Sequence, residues 1–225
     1  MKRIRKVYMD IEASYTGLID PEKDRNGFFK DYENWKFFCD KRCNEKNVQY
    51  QGIIGLLILD FDFDENTEVY KLLNKNFVQL VGKEITKERL MKEIDGMTDI
   101  IGYHCRTKPN WKGYTGYDFG VINGQFGIVL DELPGVSCTD LELLAHGAKM
   151  FGGLKSVEKQ IPSVPKRRSG IVDGLEAEKL LLEIASCEDE NKKKVLWQKV
   201  LGYNREDVIN LVYIEQYLKK LKIVE

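Results

Sequence analysis

The chain has 225 residues, 43% hydrophobic and 32% charged, and its 35 basic and 36 acidic residues leave a formal net charge of −1. That length suits one α/β unit with a real core, and the near-neutral total excludes a polyanion-binding surface spread over the whole molecule. The longest apolar run, GIIGLLIL at 52–59, is too short to span a bilayer.

The N-terminal MKRIRKVYMD is basic but lacks the apolar stretch and small-residue cleavage site of a signal peptide, so a cytoplasmic protein is expected. Residues 3–9 alternate charged and apolar side chains, which predicts a first strand with one buried face ending at Asp10 and Glu12. Residues 14–49, rich in charge and aromatics but without a period, read as a long insertion. The run at 52–61 predicts a second strand, and 68–73 a third, joined by the turn-like Asp64-Glu65-Asn66 into a hairpin.

Ile85, Leu90, Met91 and Ile94 recur at helical spacing, with Gly96 as a stop, and residues 99–103 follow as a short buried strand. After the loop TKPNWKGYTG come a predicted helix from Asp118 to Gln125, a strand at 136–139 and a helix beginning at Asp140. From there the chain is helical in separate pieces, interrupted by the basic loop PSVPKRRSG at 162–170, with one late helix opening at Tyr203. A hairpin, a helical crossover, two further strands and a helical C-terminal third describe an α/β fold around a mixed sheet, in a single domain over 1–225.

Asp10 and Glu12 stand two apart on a strand, so both carboxylates project from one face, at the end of the strand where open α/β sheets place ligands. The plainer reading is an acidic pair on a solvated face. Tyr203 and Asp207 are four apart and share a helical face. Asp207 also reads as a first-turn acid favoured by the helix dipole. Asp118 follows a glycine-rich loop and reads either as a helix-start acid or as a further member of the set. Four carboxylates brought together repel one another unless divalent cations neutralise them, and an all-oxygen donor set points to magnesium or manganese.

With these residues in this order, the sequence resembles the DEDD exonucleases in their tyrosine-bearing form, and in particular the YprB-like ribonuclease H domain. The first motif looks like Tyr8-Met9-Asp10-Ile11-Glu12, and the second like Ile101-Gly102-Tyr103-His104 with Tyr117-Asp118-Phe119. The third looks like Tyr203-Asn204-Arg205-Glu206-Asp207-Val208. The resemblance implies a ribonuclease-H-like mixed sheet and a 3′–5′ exonuclease acting on a single-stranded 3′ end of DNA or RNA. It further implies two Mg2+ or Mn2+ ions held by Asp10, Glu12, Asp118 and Asp207, with Tyr203 orienting the attacking water. The alternative is a catalytically weak nucleic-acid-binding or protein-interaction module on the same fold.

Other residues carry weaker signals. Lys108, Trp111, Lys112 and Tyr114 in the central loop suit base stacking and phosphate pairing, or are ordinary surface residues. Lys166-Arg167-Arg168 reads as a phosphate contact or a solvated charge cluster. The five cysteines, an odd and scattered set, are expected to be reduced; Cys39 and Cys43 lack the second spaced pair of a structural zinc site. His104 and His146 are expected to be structural.

Overall fold

The computed structural model describes residues 2–13, 52–106 and 117–221. The insertion at 14–49, the loop bearing Lys108, Trp111, Lys112 and Tyr114, and the pair Cys39 and Cys43 lie outside the described residues.

Five strands form one mixed sheet in the order β3-β2-β1-β4-β5. Strands β1 (Lys2–Ala13), β2 (Gly52–Asp64) and β3 (Val69–Val81) form an antiparallel meander. Strand β4 (Asp99–Gly102) runs parallel to β1, with Tyr8 opposite Ile101, and β5 (Ser137–Asp140) runs parallel to β4. The result is a mixed α/β sheet flanked by helices on both faces, as expected. The third strand runs eight residues beyond the expected 73. Its first half is largely exposed, so it carries little apolar alternation, and ladder pairing with β2 is what extends it.

Helix α1 (Lys87–Glu93) is capped by Thr86, whose side chain accepts from Arg89 N. It packs with α2 (Asp118–Phe126) against one face of the sheet. There Val7, Met9, Ile11, Ile54, Leu56 and Ile58 meet Leu90, Phe119 and Ile122. The opposite face carries α3 (Leu141–Gly147), α4 (Leu154–Glu158), α5 (Gly174–Ser186) and α6 (Glu190–Lys220). On that side Tyr8, Leu57 and Leu59 meet Leu141, Val157, Val208, Leu211 and Ile214. The first part of β2, residues 52–59, is continuously apolar because both its faces are covered there.

The C-terminal helices depart from expectation in one way that bears on the site. The separate pieces anticipated before and after residue 203 are one unbroken helix of 31 residues, α6. Asp207 is therefore mid-helix and buried, and the reading of it as a first-turn acid is wrong. Gly202 does not end the helix because its neighbours are held by tertiary packing: Val200 and Tyr203 belong to a cluster with Ile53, Leu181 and Leu196. Such packing outweighs the roughly 1 kcal/mol that a helical glycine costs.

Candidate metal centre

Strand alternation sends Met9 and Ile11 into one core and leaves Tyr8, Asp10 and Glu12 facing α6. Asp10 pairs across the ladder with Gly55 of β2. The missing side chain there matters: a Cβ on Gly55 would lie 2.2 Å from Asn204 Oδ1. The gap lets fully buried Asn204 reach β1, where its Nδ2 donates to Asp10 Oδ2 at 2.9 Å and to Asp10 O at 3.2 Å. Gln79 Nε2 in turn donates to Asn204 Oδ1 at 3.0 Å. Helix α6 is thereby keyed to the strand at the level of the acids.

Asp207, one turn beyond Tyr203 on α6, completes a trio. Asp10, Glu12 and Asp207 offer carboxylate oxygens within 4.8 Å of one another. Asp118 is not in that trio but stands beside it at the first turn of α2. The end of β4 places it there. Asp140, the N-cap of α3, accepts from His104 N at 2.9 Å and Cys105 N at 3.1 Å, folding the chain back after β4. The carbonyls of His104 and Cys105 then accept from Tyr117 N and Phe119 N and seat the start of α2. Asp118 Oδ2 is buried with no hydrogen-bond donor among the described residues.

The acids feel one another strongly. Burial, then the charges of Asp207, Glu12 and Asp118, holds Asp10 well above the usual carboxylate range. Burial, then Asp207 and Asp118, does the same to Glu12, and burial, then Asp140 and Asp207, to Asp118. Asp207 is raised by burial to about 6, less than it would be without the Arg167 guanidinium against it. The Tyr203 phenol is raised first by burial and then by Asp207, Glu12 and Asp10, so it stays protonated at neutral pH. Carboxylates that crowd together out of water, with an acceptor oxygen left unmated, offer a donor set that could hold a hard divalent cation.

Two cations border this centre. Lys155 Nζ lies 4.3 Å from the centroid of the Tyr203 ring and donates to Ile171 O at 2.8 Å. Arg167 contacts Asp207 Oδ1 and grips Glu158, with Nε donating to Oε2 at 2.7 Å and Nη2 to Oε1. The basic loop is thus only partly solvated: Lys166 and Arg168 are exposed, and Arg167 is drawn into the site. The contributions of Asn204 and Lys155 were not anticipated. Asn204 was hidden as a middle residue of the third motif, and nothing in the sequence distinguishes Lys155 from other lysines. His104 Nδ1 lies 2.6 Å from Glu142 Oε2, and the His146 ring stands 5.5 Å from that of Phe151, so both have protein partners.

A family model described as the RNase H superfamily matches residues 58–219. No curated protein and no solved structure matches the chain. The matched span contains Asp118, Tyr203 and Asp207. Asp10 and Glu12 precede it, on the strand that register ties to it through Val7 with Ile58 and Tyr8 with Ile101. No helix among the described residues is long and apolar enough to cross a membrane.

Proposed function

This chain belongs to the RNase H superfamily, and from that premise we propose that it is a metal-dependent nuclease, specifically a 3′–5′ exonuclease of the tyrosine-bearing DEDD type working on single-stranded DNA or RNA ends. The observation that carries the proposal is the trio Asp10, Glu12 and Asp207, with Asp118 beside it, buried save for half-buried Asp10 and mutually repelling in a way that a divalent cation would relieve.

Asp10, Glu12, Asp118 and Asp207 would hold two Mg2+ or Mn2+ ions. When bound, such a pair stabilises the attacking and leaving oxygens of an in-line displacement at phosphorus. The protein's own groups do the rest. Asn204 fixes the orientation of the Asp10 carboxylate by its 2.9 Å bond, leaving the other oxygen for the ligand position. Tyr203, protonated and hydrogen-bond competent, orients the attacking water rather than abstracting its proton. Lys155 supplies positive charge against the developing negative charge on phosphate.

Incubating the protein with 3′- and 5′-labelled single-stranded DNA and RNA, in manganese, magnesium or chelator, tests this. Progressive shortening from the 3′ end in metal, absent in chelator and in Asp10→Ala, is expected. Internal cuts would make the protein an endonuclease on the same site, activity surviving Asp10→Ala would sink the site, and no degradation of any substrate would favour a binding module.

A further inference from the structure

Arg167 is held in a manner that its structural contacts leave incomplete. Its Nε and Nη2 are committed to the buried carboxylate of Glu158, which also accepts from Asn210 Nδ2 at 2.9 Å. Nη2 reaches Asp207 as well. The loop that carries Arg167 is pinned from the other side. Glu206 of α6 accepts from Arg168 N at 2.5 Å and Ser169 N at 3.1 Å, and from Ser169 Oγ at 2.7 Å. The guanidinium carbon is 5.4 Å from the centroid of the Tyr203 ring.

The remaining donor group, Nη1, is buried and has no acceptor among the described residues. An arginine kept only for stability ordinarily has its buried donors satisfied. This one is fixed on two sides, lies against a proposed metal ligand and a proposed water-orienting tyrosine, and keeps a donor unmated. We propose that Arg167 is a substrate-binding residue, whose Nη1 donates to a non-bridging oxygen of the phosphodiester entering the acidic site. This rests on the reading that nucleic acid enters that site. The anchoring by Glu158 and Asn210 makes the guanidinium a preset fork, suited to a tetrahedral phosphate oxygen in a way that a mobile lysine is not. It also supplies the positive charge that a polyanion needs beside four carboxylates. Lys166 and Arg168, exposed on either side, lack this anchoring and are not assigned the role.

The test is equilibrium binding of fluorescent single-stranded DNA and RNA, in calcium so that binding is read without turnover. One oligonucleotide has natural linkages and a second a neutral methylphosphonate at the 3′-terminal linkage. The paired variant E158Q/R167M removes the guanidinium together with the buried charge that would otherwise be stranded. It is expected to bind the natural strand about tenfold more weakly. Its slope of log affinity against log salt is expected to be shallower by about 0.7, the loss of one phosphate contact on a single strand. The neutral linkage should weaken wild type about tenfold and the variant hardly at all.

R167K, which keeps the charge and stresses folding least, should feel the neutral linkage less than wild type does. Unchanged affinity and salt slope in the paired variant overturn the proposal, as does an R167K protein that discriminates the linkages as wild type does. A change in calcium affinity alone, with linkage discrimination intact, would make Arg167 a counter-ion for Asp207 and also overturn it. Binding of this kind without product release in magnesium or manganese would cost the nuclease reading and keep this one. Degradation by E158Q/R167M at wild-type KM and kcat would do the reverse.

Discussion

Helix α6 faces β1 at two levels, and the two levels treat buried acids in opposite ways. Near its C-terminal end, Glu215 accepts from Lys6 Nζ at 2.8 Å and from the Tyr8 hydroxyl, and pairs with Lys219 Nζ at 2.7 Å. Although burial pushes the other way, Lys6, Lys219 and Tyr8 hold its carboxyl below the usual value. Two turns earlier, Asp207 looks across at Asp10 and Glu12 and is raised by burial to about 6. One acid is held by two lysines and a tyrosine, whereas the other shares a single arginine with Glu158 and stands among further carboxylates. A fold tolerates the second arrangement where a ligand completes it.

The largest expected effect separates the two levels by activity. Asp10→Asn should lower nuclease turnover by about a hundred- to a thousandfold and, by removing a charge from the crowded set, raise the melting temperature in chelator. Assays on labelled single strands and thermal melts of the same preparation check both; a melting temperature that falls would mean the cluster is not under mutual repulsion. Next, Glu215→Leu strands Lys6 and should cost about 3 kcal/mol, read by urea denaturation, with turnover per folded molecule preserved. If turnover falls in proportion, the two levels are not independent.

Smaller still, Asn204→Leu removes the bond that orients Asp10 and should lower activity about ten- to a hundredfold, with the loss in kcat rather than KM. The weakest effect is on pH. Asp207 has a folded pKa of about 6 against an ordinary 3.8, so its contribution to stability is present below the ordinary value and is lost as pH rises through about 6. Glu215 has the opposite sign: its contribution is present above the ordinary 4.5 and lost as pH falls through its lowered pKa. In chelator the protein should therefore melt a few degrees higher at pH 5 than at pH 7, and a saturating divalent cation should abolish that advantage by competing with the protons. A melting temperature that rises from pH 5 to pH 7 in chelator would contradict the upward shift that burial gives Asp207.

The contrast between the two levels also marks what was legible beforehand. The alternation of β1 put Asp10 and Glu12 on one face, and the i, i+4 spacing put Tyr203 and Asp207 on one face; both are local periodicities, and both hold. The continuity of α6 was not legible. Gly202, Asn204 and Asp207 carry the composition of a helix start, and only contacts with Ile53 and Asp10, more than 140 residues away, make them interior. Arg167 was visible only as one of three adjacent basic residues. Its partners Glu158, Asp207 and Asn210 lie at sequence separations that no short pattern connects.

The unbroken course of α6 also restricts which changes of chain length the protein can absorb. A helix of 31 residues is about 46 Å long and turns about 100° per residue. One residue inserted between Asp207 and Glu215 would swing one acid away from β1 whenever the other stayed seated. Surface loops can vary in length at little cost, but this stretch is tuned like the bit of a key. Additions of about 7 or about 11 residues, close to two or three whole turns, bring the angle back, and they do so while displacing one end by about 10 or about 16 Å.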